Sequence, residues 1–404
     1  MKKAFLLTTV LIMSLAVFSQ QITQEALVIN IEVPVRVYKG RTFVDSLTIN
    51  DFEILEDGIP QKIEAVYLVK EKSIERREEK RRFSPEISRN FFLFFEISEY
   101  TSKLGDAVSY FIHNKIIPGD NLIIVTPLKT YRMVSRALEF KSKDELASDL
   151  KKILLKDSLI GFSEYRSAVG ELMNLAKALS AEGSSFGQVY EFTSNQYKDL
   201  PLDKKLMRYG DILNMIESLR RVDQQRFLDF AGYLKNLEGQ KYVFIFYQRE
   251  FIPQIEPRII DQFITVYQNQ PNIVRSLSSL YDFFRRDISF DIDLLKKTYA
   301  DSSVSIHFLF ITTPPKHIPG IYFHEQSEDI YSVFREMSRA TGGYMESSSN
   351  PDTLFRHSVE ASENYYLLYY SPLNYKIDEK FKEIKVRVKN KDYRVIHRLG
   401  YFAD

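Results

Sequence analysis

Three groups of residues have side chains of a type and spacing that chemistry could use. The first is Gly183-Ser184-Ser185-Phe186-Gly187, which fits G-x-S-x-G by letter. A nucleophile elbow of that form needs a strand before the serine and a helix after it. Here the helical pattern of Glu164 to Leu179 precedes the motif and a polar, turn-rich stretch follows, so Ser185 lacks the context of a nucleophile. The second group is the six histidines, His113, His307, His317, His324, His357 and His397. They form no H-E-x-x-H and no tight ligand spacing. His307 alternates within an apolar run and reads as a packed core residue; His317 and His324 share a proline-bearing loop but make only two ligands. The third is the run Tyr365-Tyr366-Leu367-Leu368-Tyr369-Tyr370, whose tyrosines alternate faces in a strand. Sheet packing with hydroxyls at the rim explains it better than an aromatic binding surface. There is no Walker loop and no G-x-G-x-x-G. Catalysis therefore has no credible constellation, and the chain reads as a non-enzyme.

The elements that would position these residues start with an export signal. Met1-Lys2-Lys3 is a short basic region, Ala4 to Phe18 is a 15-residue apolar run, and Ser19-Gln20 offers a cut. This is the pattern of a secretory signal over residues 1–20, and the run is short for a membrane span. The expected product is a soluble protein of the periplasm or the extracellular space. The chain has no cysteine, which excludes disulfides and a lipid-bearing cysteine at the cut. Its charge is balanced, 55 Lys+Arg against 54 Asp+Glu, without the basic footprint of a nucleic-acid binder. With 404 residues it can bury a large core, in two domains or more. Tyr and Phe are abundant and Trp is absent, which weighs against a sugar site built on indole.

The texture of the chain changes twice. Residues 22–70 have strand periodicity, with Val28, Val33, Val35 and Val37 alternating with polar residues, and Asp57-Gly58 marks a hairpin. Residues 71–89 mix acidic and basic side chains and read as a solvated linker or exposed helix rather than a basic patch. From residue 90 onward, apolar runs alternate with helical patterns. Phe91 to Ile97, Leu122 to Thr126, Lys241 to Tyr247 and Val304 to Ile311 are the buried strands, and Tyr131 to Phe140 is a further candidate. That alternation predicts a mostly parallel sheet covered on both faces. Residues 181–205 read as a long loop, and residues 250–300 hold helical patterns between two strands. Residues 362–404 return to β texture.

In order, the segment Asp51 to Gly58, the step Thr341-Gly342-Gly343 and the tail from Tyr365 to Tyr401 resemble the bacterial VWFA-related domain proteins. The resemblance implies a Rossmann-like von Willebrand factor A domain over residues 90–361, with helical insertions at 181–222 and 250–300. It implies that residues 22–70 and 362–404 pair as a small β-sandwich around it. It also implies a divalent-cation site at the C-terminal end of the sheet, built on Asp-x-Ser-x-Ser and on a Thr and an Asp from later loops. In this chain Glu96 stands for the Asp, Ser98 is retained, Tyr100 stands for the second Ser, and Ser163 is the candidate for the Thr. Gln248-Arg249-Glu250 follows the strand where Thr-Asp-Gly is usual, so Arg249 is placed to pair with Glu96 and replace the charge of a metal. So altered a ligand set argues against Mg²⁺ or Mn²⁺, the ions an intact one would take. The resulting expectation is an exported interaction or adhesion module with a protein partner in the envelope or outside the cell. Its binding face would lie at the top of the sheet, with Glu99, Tyr100, Gln248, Arg249 and Glu250. The alternatives are a metal-dependent adhesin with an atypical site, and an envelope hydrolase using an unrecognised site in the insertions.

Overall fold

The structure is a computed structural model, and it describes residues 29–133, 140–183, 197, 199–220, 223–280, 290–373 and 375–404. Residues 1–20, read as a secretory signal, and Ser185 lie outside the described residues. Six strands come first: β1 (Ile31–Lys39), β2 (Thr42–Phe43), β3 (Phe52–Glu56), β4 (Ile59–Gln61), β5 (Ile63–Lys70) and β6 (Ser73–Glu79). An α/β unit follows. It consists of β7 (Arg89–Glu96), α1 (Ser102–Asn114), β8 (Asn121–Val125), β9 (Thr130–Met133), α2 (Lys143–Gly161), α3 (Ser163–Gly183), α4 (Leu202–Leu219), α5 (Gln224–Lys235) and β10 (Gln240–Gln248). It continues with β11 (Phe251–Ile255), α6 (Pro257–Val266), α7 (Pro271–Leu280), α8 (Ile292–Asp301), β12 (Val304–Ile311), β13 (Ile321–Glu325), α9 (Glu328–Ala340), β14 (Met345–Ser348) and α10 (Pro351–Glu363). The chain ends with β15 (Asn364–Tyr370), β16 (Phe381–Val388), β17 (Arg394–His397) and β18 (Gly400–Phe402).

The first and last groups of strands belong to one body. β15 lies between β1 and β5, antiparallel to both, in the order β17-β1-β15-β5-β6. A second sheet runs β18-β16-β3-β4. Alternation on the strands turns Val33, Val35, Val66, Tyr366, Leu368, Ile54, Ile384 and Val386 into one core between the two sheets. Each fully buried Val or Leu of this kind contributes roughly 1.5–3 kcal/mol. The Glu56 carboxylate joins the sheets by accepting from the Tyr370 and Tyr401 hydroxyls at 2.7 and 2.9 Å. The stretch read as a linker is corrected here: Ser73–Glu79 is the edge strand β6, paired to β5. Its charged residues alternate outward, as suits an edge that must not pair with another chain. Farther along the same stretch, Phe83 and Ile87 cover the outer face of β5 and β15.

The central sheet of the α/β unit runs β14-β12-β10-β7-β8-β9. All its pairings are parallel except that of β9, an antiparallel edge. The third strand is Thr130–Met133; of the Tyr131 to Phe140 read from the sequence, residues 134–139 lie outside the described residues and Phe140 is helical. Counted within the unit, the first strand lies between the second and the fourth, which is the doubly wound order. Phe91, Leu93 and Phe95 face α1, α2 and α10, while Phe92 and Phe94 face α5, α8 and α9. A strand buried on both faces needs an unbroken apolar run, and Phe91 to Phe95 supplies it. Helices α3, α4, α6 and α7 form a further core with the ribbon β11-β13. Residues 202–205, read as the end of a loop, are the first turn of α4.

The Thr341-Gly342-Gly343 step is threaded through the join of the two bodies. Gly342 has φ +67°, and a Cβ on Gly343 would sit 1.8 Å from the Ile306 carbonyl oxygen. Thr341 Oγ1 accepts from the Ile306 amide at 3.1 Å. Gly343→Ala should therefore cost about 1–3 kcal/mol or more in urea unfolding. Gly170→Ala, on a helix with open space around it, should raise stability by about 0.5–1 kcal/mol in the same measurement. A tolerated Gly343→Ala would show that the backbone there is free to move.

Candidate functional site

The doubly wound order places a crevice at the C-terminal ends of β7 and β10, where the direction of winding reverses. Glu96 ends β7 and lies opposite Tyr247 in register; Gln248 ends β10. Between them stands a residue the sequence reading did not select. Arg220 caps the C-terminus of α4, where a cation is favoured by the helix dipole. Its Nε lies 3.0 Å from Glu250 Oε2 and its Nη1 3.8 Å from Glu96 Oε2, and Nη2 donates to the Tyr247 hydroxyl at 3.1 Å. The rings of Phe162, Tyr165 and Tyr247 surround the guanidinium at 5.3, 5.5 and 5.7 Å. Aromatic faces and two carboxylates are a favourable setting for a cation taken out of water.

The electrostatics follow from depth. The Glu250 side chain is 4% exposed and that of Arg220 9%. Burial acts to depress Arg220, but Glu250, Tyr247 and Glu96 outweigh it and hold the guanidinium firmly charged. Burial and then Glu250 push the Tyr165 hydroxyl well up, and burial pushes Tyr247 up to about 12. Glu96 is different. Its side chain keeps 42% of its surface and looks into a cavity of about 380 Å³, lined by Phe94, Phe227, Phe230 and Phe334 among others. Those apolar walls raise its carboxyl above the usual range, Arg220 pulls it back, and Glu250 raises it again.

The loop after β7 is held from both sides. Gln248 Oε1 accepts from the Glu99 amide at 2.9 Å and from the Ser98 hydroxyl at 3.3 Å. Arg166 Nη1 donates to the carbonyls of Ser98 and Ser158 at 2.9 and 3.0 Å, tying this loop to the α2–α3 joint.

The structure thus brings Glu96, Ser98, Glu99, Gln248 and Glu250 together and leaves out the rest of the expected set. Ser163 donates to the Ile160 carbonyl at 2.7 Å on the exposed side of the joint. Tyr100 packs beside the core under α1, its hydroxyl against Gly105. Arg249 does not pair with Glu96: side chains alternate along an extended chain, and its guanidinium meets Glu325 on β13 instead. Gln248 and Glu250 are buried, so they form no open binding face. The cause is the helical core of α3, α4, α6 and α7, which must bury its own apolar side and settles against this end of the sheet. His307 is buried against Phe244, and its Nδ1 accepts from the Tyr344 amide at 3.2 Å. No group of three or more His, Asp or Glu among the described residues is placed to share an ion.

Arg220→Met leaves Glu250 buried without its cation and should cost about 3–5 kcal/mol in urea unfolding. Adding Glu250→Gln should recover part of that loss. The raised carboxyl of Glu96 gives the native state more protons than the unfolded chain from pH 4.5 upward, so its contribution to stability falls as pH rises through the native value. Glu96→Gln should therefore melt no lower than the parent at pH 8, and the two should converge near pH 4. A variant that is less stable at pH 8 would show that the ion pair with Arg220 outweighs burial.

No family model matches the chain, and no curated protein sequence does. Among solved structures, the human COPII-coat protein Sec24c aligns over 79% of this chain and 44% of its own length, at 6% identity. The chain spans less than half of that protein, and the TM-score of 0.27 is too low to bear on fold or function.

Proposed function

We propose that the chain is an exported, non-enzymatic protein-interaction module built on a von Willebrand factor A-like domain in which an arginine stands in for the metal. The observation that carries this reading is the placement of Arg220 between Glu96 and Glu250 at the crevice of the sheet. A small divalent ion wants about six oxygens in an octahedron. Here Glu250 is turned to a guanidinium, and the Ser98 hydroxyl to Gln248, so the donor set does not suit Mg²⁺ or Mn²⁺. The doubly wound strand order and the enclosing sandwich agree with the A-like reading.

With Arg220 holding the carboxylates of the crevice, the contact surface is assigned to its rim. Leu128, Leu159 and Ile160 are 41%, 53% and 46% exposed. They come together because the β8–β9 turn abuts the end of α2, where Gly161 lies close against Pro127 and Leu128. Large apolar side chains held in the open on a rigid joint suit an apolar patch on a partner protein.

Two measurements test this reading. The unfolding midpoint should be the same, within about 1 °C, in Mg²⁺, Mn²⁺ or EDTA, because an ion that binds only the native state must raise it. A clear rise would favour the metal-dependent adhesin. Leu159→Asp with Ile160→Asp should keep the midpoint and abolish capture of envelope proteins by the mature chain. Capture unchanged by that pair would remove the rim from the proposal.

A further inference from the structure

A second cavity, of about 440 Å³, lies where the sandwich meets the α/β unit, away from the crevice. Its walls come from β1, the β1–β2 turn, β12, the Gly342-Gly343 step, α10 and β17. Three arginines line it, Arg36, Arg41 and Arg394, against one lining carboxylate, Glu360. Glu346, close by, is already held by the Tyr344 hydroxyl and by His357 Nδ1, both at 2.9 Å. Among the described residues, Arg36, Arg41 and Arg394 form no ion pair.

The cavity has a built floor. Arg36 is buried and fixed: Nη1 donates to the Gly342 carbonyl at 3.0 Å and Nη2 to Ser305 Oγ at 3.3 Å, while Nε is left without a partner. His307 is buried beside it. Because its Nδ1 accepts a backbone N–H, a neutral ring carries its proton on Nε2, and Nε2 has no partner. An unpaired buried donor is costly and calls for an explanation. Arg394 lies over the Tyr38 ring at 5.2 Å, and Arg41 and Arg394 both act on the Tyr344 hydroxyl. Buried cationic and neutral donors, exposed guanidiniums and aromatic walls suit a ligand with an anionic head and a small organic body.

We propose that this junction cavity binds a small organic anion bearing a carboxylate or a phosphate, held by Arg36, Arg41 and Arg394 with the His307 Nε2–H as a further donor. A ligand seated there would touch both bodies and fix their join.

The test is thermal unfolding and titration calorimetry of the mature chain with inorganic phosphate, citrate and glucose 6-phosphate, each against sodium chloride of equal ionic strength. At least one anion should raise the midpoint above its salt control. Citrate alone would assign the site to carboxylates; the phosphate compounds alone would assign it to phosphates. Arg41→Glu with Arg394→Glu, both exposed positions, should melt within about 2 °C of the parent and bind at least tenfold more weakly. No rise with any of the three overturns the proposal. A rise that survives in the double variant also overturns it, as an adventitious ion only.

Discussion

The antiparallel seating of Asn364–Tyr370 between Ile31–Lys39 and Ile63–Lys70 is the constraint on which the rest of the molecule depends. A strand from the end of the chain fills the centre of a sheet begun at its start. The sandwich therefore cannot close until the α/β unit has been made, and that unit must leave from and return to nearly the same place. Its entry strand β7 and its exit helix α10 meet this demand. Lys115, just after α1, pairs with Glu363 at the end of α10 at 2.7 Å, and at the foot of β7 Arg89 meets Asp120 at 2.6 Å. The join is polar yet fixed. Arg398 Nη1 donates to the Ala300 carbonyl at 3.3 Å, and Gln240 Nε2 to Glu32 Oε1 at 3.0 Å. Buried polar groups like these add little net stability but hold one arrangement against its neighbours, even though Arg398 Nε and Arg36 Nε are left without a partner here.

The same logic explains the crevice. A parallel sheet wound both ways leaves its strand ends open at the reversal, and polar termini gather there. In this chain the helices α3 and α4 stand over part of that opening: Arg220 at the end of α4 meets Glu96 and Glu250, and Arg166 on α3 holds the loop after β7. Covering the crevice strands Glu250, 4% exposed, in a dry setting, where a lone carboxylate is costly. Arg220 meets that need, and because it belongs to α4 it also fastens the covering helices to the sheet.

Much of the architecture was legible in the sequence because burial on both faces leaves a plain mark. Phe91 to Ile97, Lys241 to Tyr247 and Val304 to Ile311 read as interior strands, and the structure places β7, β10 and β12 on them. Edges were less legible. Ser73–Glu79 carries the composition of a linker because an edge strand is selected to be charged, and only the alternation of its burial reveals it. The candidate site was half legible. Glu96, Ser98 and Gln248 could be placed from the strand ends that carry them, since a strand end fixes a position in the sheet. Arg220 could not, for its place depends on how α4 packs. The trace it leaves is faint: a cation at the last turn of an amphipathic helix, a pattern common on any surface. Arg249 was the nearer cation in sequence, yet a one-residue step along an extended chain sends a side chain to the other side.

Closing the crevice also alters what the remaining surfaces can do. Under the function proposed above, recognition at the sheet's end would draw no cation from solution and would fall to side chains at the rim of the crevice. The crevice is bound to the covering helices through Arg220, and the α/β unit to the sandwich through Arg36, Arg398 and the Gly342-Gly343 step. Both ties are short, polar and buried, so a change at either is felt as strain rather than absorbed by flexible chain. The donors left unpaired at the join, Arg36 Nε and His307 Nε2, lie where a small anion would tighten that second tie. On the proposal of an anion at that join, a ligand would gain contacts with both bodies and so bias how they sit together, whereas the crevice already holds its own cation in Arg220.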